Sequence, residues 1–363
     1  MGENLINVLN DTDYIIGLDK SNMGLYLFTQ ARDAQESFKK SKKIFSVLKY
    51  DLSNIIAAGM GGSGMAPHAV EFLFKDEFRI PYSVSQDYRL SNFASDKTLL
   101  IAISDSGETE EVISQYYEAQ KRNTKIITIA QKSRLIELAK KDKVAYFDYT
   151  TPVPSRASFG FMFGSALACL ENIGAILPGN EKSLNEAIEI LDEMKSCIGI
   201  DTPYEKNAAK QIALSIMNKI PLLYMEPPFG SLGSRFAKMM NENAGLFSFY
   251  NQLPELRHNE IMSLVDKSSL KSNLSLILLR DGRSYSRMEE EINEIKKVIS
   301  SNYDIIELRA RGESKLARFF SLQYMMDMVA YYMAILVGKD PSITPALKDL
   351  KKKLREGAII PYS

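Results

Sequence analysis

Two short loops dense in glycine and hydroxyl side chains, Gly61-Gly62-Ser63-Gly64 and Ser104-Asp105-Ser106-Gly107-Glu108-Thr109, have the composition of an anion cradle. The first follows the apolar run Ile55-Ile56-Ala57-Ala58 and the second follows Leu99-Leu100-Ile101-Ala102-Ile103, so each ends a strand and opens a helix. The first N–H groups of such a helix have no internal partner, and the helix dipole favours a negative charge in front of them. Gly61 and Gly62 permit close backbone approach, while Ser63, Ser104, Ser106 and Thr109 add hydroxyl donors without bulk. Neither loop contains the lysine of a Walker-type phosphate loop. A pair of such loops one βα unit apart suits a small phosphate monoester better than a nucleotide; either loop alone could equally be a tight turn.

Proton transfer near neutral pH calls on carboxylates and histidine, and the chain has only two histidines, His68 and His258. His258 lies in the polar stretch Leu253-Pro254-Glu255-Leu256-Arg257-His258-Asn259-Glu260, ahead of an apolar helix. Glu242 lies in Asn241-Glu242-Asn243-Ala244 at the end of an earlier helix, with a strand around Phe247-Ser248-Phe249 between the two. They could converge at one sheet edge, yet spacing alone leaves a solvated glutamate and a capping histidine open. His68, among Met65, Ala66, Ala69 and Val70, reads as a packed or half-exposed helix residue. Arg156, in Pro154-Ser155-Arg156-Ala157-Ser158, is a planar cation suited to a phosphate or to developing negative charge, or to a surface ion pair. Near the C-terminus, Asp340-Pro341-Ser342-Ile343-Thr344-Pro345 enters a helix on which Thr344 and Lys351 share a face. Taken alone, these two are a helix cap and a surface lysine.

The elements that must position these residues follow one grammar, stated twice. After a helical pattern over residues 22–49, short apolar runs at 55–58, 80–84, 98–103, 124–129 and 144–148 alternate with amphipathic stretches near 64–75, 108–121 and 133–140. A break at Thr151-Pro152-Val153-Pro154 leads into an apolar helix through Leu170 and a charged one from Lys182 to Lys195. Strands at 220–225, 246–250, 273–279 and 304–309 then alternate with helices at 233–243, 256–265, 286–300 and 313–337, before a last helix at 344–355. Such alternation predicts an α/β fold of two doubly wound, flavodoxin-like parallel sheets. The expected division is a helical lead (1–50), a first sandwich domain (51–151), connecting helices (152–200) and a second sandwich domain with a C-terminal helix (201–363).

Composition removes other classes. The 363 residues are 45% hydrophobic, and 45 basic residues balance 45 acidic ones, so no basic excess points to nucleic acid. Two cysteines, Cys169 and Cys197, and two histidines offer no metal-ligand pattern and no disulfide framework. The N-terminal residues lack a basic region followed by an apolar core, and no apolar run reaches membrane-spanning length, so a soluble, cytoplasmic protein is expected.

In this order the chain carries Gly61-Gly62-Ser63-Gly64, Ser104-x-Ser106-Gly107-x-Thr109, Pro154-x-Arg156, Asn241-Glu242-Asn243, His258-Asn259-Glu260, Gly312-x-x-x-Leu316-Ala317-Arg318 and Asp340-Pro341 with Leu350-Lys351. From about residue 50 to its end it resembles the bifunctional phosphoglucose/phosphomannose isomerases, built from two sugar isomerase (SIS) domains. The resemblance implies a phosphate held by Ser63, Ser104, Ser106 and Thr109. It also implies Glu242 as the base moving a proton between C1 and C2, Arg156 stabilising the enediolate, and His258 with Lys351 opening the sugar ring. Thr344 would leave room for either C2 epimer. No cofactor or metal is implied, and a homodimer with His258 contributed across the interface is expected. Asp105 and Glu108 depart from the family's tyrosine and asparagine, and Arg257 from its asparagine; carboxylates beside a phosphate would repel it unless they face away. The alternative is a sugar-phosphate-binding SIS regulator without catalysis, which would have no use for Glu242, His258 and Lys351 together.

Overall fold

The computed structural model describes residues 2–47, 51–266, 271–300 and 302–357. Three helices lead: α1 (Gly2–Asn10), α2 (Thr12–Leu18) and α3 (Met23–Ile44). The first sheet then forms from β1 (Asn54–Ala58), β2 (Tyr82–Ser85), β3 (Thr98–Ser104), β4 (Lys125–Gln131) and β5 (Ala145–Tyr149), in the order β2-β1-β3-β4-β5 and parallel throughout. Its helices are α4 (Met65–Phe74), α5 (Glu110–Lys121) and α6 (Arg134–Lys141).

Alternation along the strands decides what each face meets. Ile55, Ala57, Leu99, Ile101, Ile127 and Ile129 point to one side and join α4 in the main core, while Ile56, Ala58, Leu100, Ala102 and Ile126 point to the other and bury Val112, Tyr116, Leu135 and Ile136 of α5 and α6. A strand buried on both faces needs the near-continuous apolar run these strands have.

Two helices, α7 (Phe159–Asn172) and α8 (Asn180–Ile198), cross to a third, α9 (Ala208–Ile216), and to a second parallel sheet. That sheet contains β6 (Ile220–Met225), β7 (Phe249–Gln252), β8 (Leu274–Arg280) and β9 (Ile305–Arg309) in the order β7-β6-β8-β9. It repeats the same crossing pattern with one strand fewer. Its helices are α10 (Gly230–Met239), α11 (Ile261–Val265), α12 (Ser286–Ile299) and α13 (Lys315–Leu336), followed by α14 (Pro345–Gly357). Leu223, Met225, Ile277 and Leu279 face the main core; Tyr224, Leu276 and Leu278 face α12 on the opposite side.

The inward faces of both sheets therefore share one helical layer, in which α4 of the first sheet packs on α10, its counterpart in the second. α13 is apolar all round and buried along nearly its whole length, as the centre of such a layer requires. Close approach between α3 and α7 runs through Gly160 and Gly164, where an added Cβ would overlap the carbonyl oxygens of Gln30 and Ala34. Among the described residues, no helix is long and apolar enough to cross a membrane.

All nine strands expected from the sequence form. β7 starts three residues later than expected, because the chain leaves a left-handed turn at Gly245 and pairs with β6 only from Phe249. The stretch expected as one helix at 256–265 is a short 3-10 turn over Glu255–His258 and then α11, divided at Asn259.

Candidate active site

The two hydroxyl-rich loops meet where the strand order of the first sheet reverses. β1 and β3 are neighbours whose following helices, α4 and α5, leave on opposite faces, and this opens a crevice at the strands' carboxyl ends. Ser63 Oγ accepts a hydrogen bond of 2.8 Å from the Asp105 N–H, locking one loop onto the other. Ser104 Oγ lies 2.8 Å from Thr109 Oγ1 and accepts from the Gly107 N–H at 3.0 Å, while Ser106 Oγ accepts from the Glu108 N–H at 3.3 Å. Gly61 and Gly107 have left-handed φ values of 51° and 61°, which favour glycine. Gly59-Met60-Gly61-Gly62-Ser63-Gly64 also has the glycine spacing of a dinucleotide-binding turn; the bond from the second loop to Ser63 is what makes this a two-loop cradle.

Both acidic departures face away from the cradle. Asp105 Oδ1 accepts from Tyr149 OH at 2.8 Å, Ser158 Oγ at 2.7 Å and Gln131 Nε2 at 3.2 Å. Glu108 Oε1 accepts from the Arg134 N–H at 2.9 Å, at the start of α6. Each carboxylate is engaged by neighbouring elements, and among the described residues neither accepts a hydrogen bond from a hydroxyl of the two loops.

Gly62 connects the cradle to the acid–base candidates. A Cβ there would overlap Ser155 Oγ and stand 2.9 Å from Arg156 N, so only glycine lets this loop lie against the 155–156 turn. Arg156, 1% exposed, donates from Nη1 to Glu242 Oε2 at 2.8 Å, from Nε to Asn243 Oδ1 at 2.6 Å and from Nη2 to the Pro341 carbonyl at 2.6 Å. Burial pulls its guanidinium below the ordinary arginine value, and the Glu242 carboxylate opposes that pull. Glu242 sits in a π-helical turn, Met240–Ala244, closed by Gly245 in the left-handed conformation. Such turns re-aim side chains that a regular helix would point elsewhere. Lys339 Nζ donates to the Ala244 carbonyl at 2.9 Å, fastening the 339–341 segment to the same turn.

Residues 205–354 match the bacterial phospho-glucose isomerase C-terminal SIS domain, and residues 50–145 match the SIS domain. A bifunctional phosphoglucose/phosphomannose isomerase of Caldicellulosiruptor bescii is 31% identical over 328 residues, covering 89% of this chain and 96% of its own. The chain belongs to the bifunctional phosphoglucose/phosphomannose isomerase family. A relative of the same description from Thermoplasma volcanium is 30% identical, with 86% of this chain and 94% of its own covered. The fold also matches a crystal structure of a glucose-6-phosphate isomerase from Chlamydia trachomatis with a TM-score of 0.75 at 12% identity, covering 98% of this chain and 85% of that one.

Within this family's two-SIS architecture, the chain gathers Gly61, Gly62, Ser63, Ser104, Ser106 and Thr109 in one cradle, with Arg156 and Glu242 beside it. Thr344 precedes Pro345 at the start of α14, where its carbonyl accepts from Lys348 N at 3.1 Å, three residues after the carbonyl held by Arg156. His258 and Lys351 are not part of the cluster within one chain. Both side chains are exposed and, among the described residues, neither makes a hydrogen bond or ion pair. His68 is half-buried on α4, 3.2 Å from Glu71 Oε2 and 3.1 Å from Gln86 Oε1, in keeping with its reading as a packed helix residue.

A buried arginine that sequence reasoning missed supports the site from below. Arg235 donates from Nε to Asp327 Oδ1 at 2.8 Å, and from Nη2 to Asp327 Oδ2 at 2.6 Å and to the Arg156 carbonyl at 3.0 Å. The available signal was Asp327 itself: a lone carboxylate inside the apolar run of α13 demands a buried cation. Burial pushes Asp327 up, and Arg235 pulls against it.

The second sheet has its own switch point, between β6 and β8, and fills it differently. There the fully buried Glu226 accepts from Arg280 Nε, from Ser284 Oγ, and from the Asp281 N–H at 2.8 Å.

Proposed function

We propose that this chain is an aldose–ketose isomerase, interconverting glucose 6-phosphate and mannose 6-phosphate with fructose 6-phosphate through a cis-enediolate. The abutment of Gly62 on the Ser155–Arg156 turn carries the reading, because it puts a phosphate cradle and a carboxylate–guanidinium pair within the length of one hexose phosphate in a member of this family. Ser63, Ser104, Ser106 and Thr109, with the loop N–H groups, hold the phosphate. Glu242 removes the proton from C2 of the open-chain aldose and returns it to C1, and the same steps run backwards from the ketose. Arg156 places a fixed cation where the enediolate oxygens become negative, and needs no reorganisation at that moment. No redox cofactor enters such a proton transfer. Thr344, at the entry to α14, leaves space for either configuration at C2.

Ring opening is assigned to His258, with Lys351, in a homodimer whose partner copy supplies the imidazole. Several features support this. Among the described residues the Arg156–Glu242 cluster holds no imidazole, whereas His258 stands exposed, as do the large apolar side chains of Phe247, at 74%, and Met262, at 71%. Ile343, two residues before α14, and Leu347, Leu350 and Leu354 along that helix add exposed apolar side chains at helical spacing. Exposed apolar side chains of this kind are what an isologous interface covers.

Incubation of the purified protein with fructose 6-phosphate tests the activity. Formation of both glucose 6-phosphate and mannose 6-phosphate is expected. Saturable binding of the ketose phosphate with neither aldose formed would make the chain a sugar-phosphate sensor instead.

A further inference from the structure

We infer that Lys238 is a substrate-binding residue, supplying the positive charge that the cradle lacks opposite the phosphate of the sugar. The inference rests on the isomerase reading above and goes one residue beyond it. A phosphate monoester is a dianion near neutral pH, yet the cradle offers only neutral donors, with no lysine or arginine in either loop. The cations buried nearby are committed elsewhere: Arg156 to Glu242, Asn243 and Pro341, and Arg235 to Asp327.

Lys238 is placed to make up the difference. Arg235 and Lys238, spaced i and i+3, share one face of α10, and the Glu242 carboxylate of the π-helical turn that follows acts electrostatically on Lys238. Arg235 touches the residue that follows the glycine loop, and Glu242 is joined to that loop through Arg156. Arg235 Nη1 lies 3.2 Å from the sulfur of Met65, the residue directly after that loop, and Glu242 pairs with Arg156, whose backbone abuts Gly62. Lys238 lies between them in sequence, half-buried, in a helix packed on α4. Among the described residues it has neither a hydrogen-bond nor an ion-pair partner. Its ammonium is partly stripped of water, which lowers its pKa; Glu242 pulls that value up and Arg235 pushes it down, so the group feels both charges. A half-buried ammonium without a partner is a costly arrangement unless an anion completes it.

The variants Lys238→Met and Lys238→Arg separate this from other roles. In Lys238→Met, loss of one charge-assisted contact is expected to raise both the KM for fructose 6-phosphate and the inhibition constant of inorganic phosphate about 10- to 100-fold, with kcat within about threefold of wild type. Lys238→Arg should recover most of both, and unchanged circular dichroism and melting temperature would show that the fold is intact. An unchanged inhibition constant for phosphate in Lys238→Met would overturn the assignment, as would a fall in kcat at constant KM, which would mean that Lys238 acts only through Glu242. Failure of the isomerase reading itself would appear separately, as absence of turnover in the wild-type protein.

Discussion

Arg156 and Glu242 form an ion pair in which one partner is sealed and the other is reachable: the Arg156 side chain is 2% exposed and that of Glu242 20%. Removing the cation would leave a carboxylate beside a buried turn, at a cost of several kcal/mol, on the order of that for breaking a buried pair. Neutralising the carboxylate is gentler, because glutamine keeps the shape and still accepts from Arg156. Glu242→Gln is therefore expected to cost less melting temperature than loss of the cation, Arg156 keeping its hydrogen bond but losing its counter-charge, and to leave the affinity for inorganic phosphate nearly unchanged while kcat falls by about 10²- to 10⁴-fold, the range for a lost general base. Steady-state rates in the ketose-to-aldose direction check this, and near wild-type turnover would remove Glu242 from the reaction. At this scale the sequence made the cradle legible through residue type and spacing. It could not reveal which way Asp105 and Glu108 point, since that depends on Tyr149, Ser158, Gln131 and Arg134, which come from other elements.

The inner strand positions were legible because parallel strands covered on both faces need uninterrupted apolar runs, and β1, β3, β6 and β8 have them, whereas β2, β7 and β9 are broken by polar residues. β7 was the exception in register: Leu246, Phe247 and Ser248 look like strand, yet pairing waits for Phe249, and no local signal marks where a neighbour begins. The π-helical turn under Glu242 was equally hidden, because it follows from the tethers to Arg156 and Lys339 and has no composition of its own. The tight seam between α3 and α7 carries a measurable consequence. Asp33 lies there, its carboxyl pushed up to about 7 from an ordinary 3.8, chiefly by burial, against the pull of the Thr29 hydroxyl, with Glu36 adding to the rise. Its folded-state value is above its unfolded one, so the native state holds the proton more tightly. The stabilising contribution is complete below about pH 4 and is lost as pH rises through about 7. Asp33→Asn should gain melting temperature relative to wild type between those limits and then level off. Melting curves across pH 4–8 check it; a difference that stays flat through that window would contradict the assignment.

For the whole molecule, the decisive question is whether one chain makes one site. If the imidazole comes from a partner copy, Glu242→Gln and His258→Ala homodimers are each impaired for different reasons. Mixing and re-assembling them should restore activity, to about a quarter of wild type at random pairing, since only half the dimers are mixed and each of those has one intact site. Restoration should vanish when the two variants are assayed together without subunit exchange. No recovery after verified exchange would mean that His258 serves its own chain or none.

The carboxylate of Glu226, gripped by an arginine, a hydroxyl and a main-chain amide at the second sheet's crevice, is in effect a guest that never leaves. An architecture that repeats itself would otherwise display two vacancies for the same kind of anion, and the sugar could lodge unproductively in the wrong one. By growing its own plug from the end of β6, the second half becomes free to specialise as the supplier of Glu242 and the wall against which the first half's ligand is turned over.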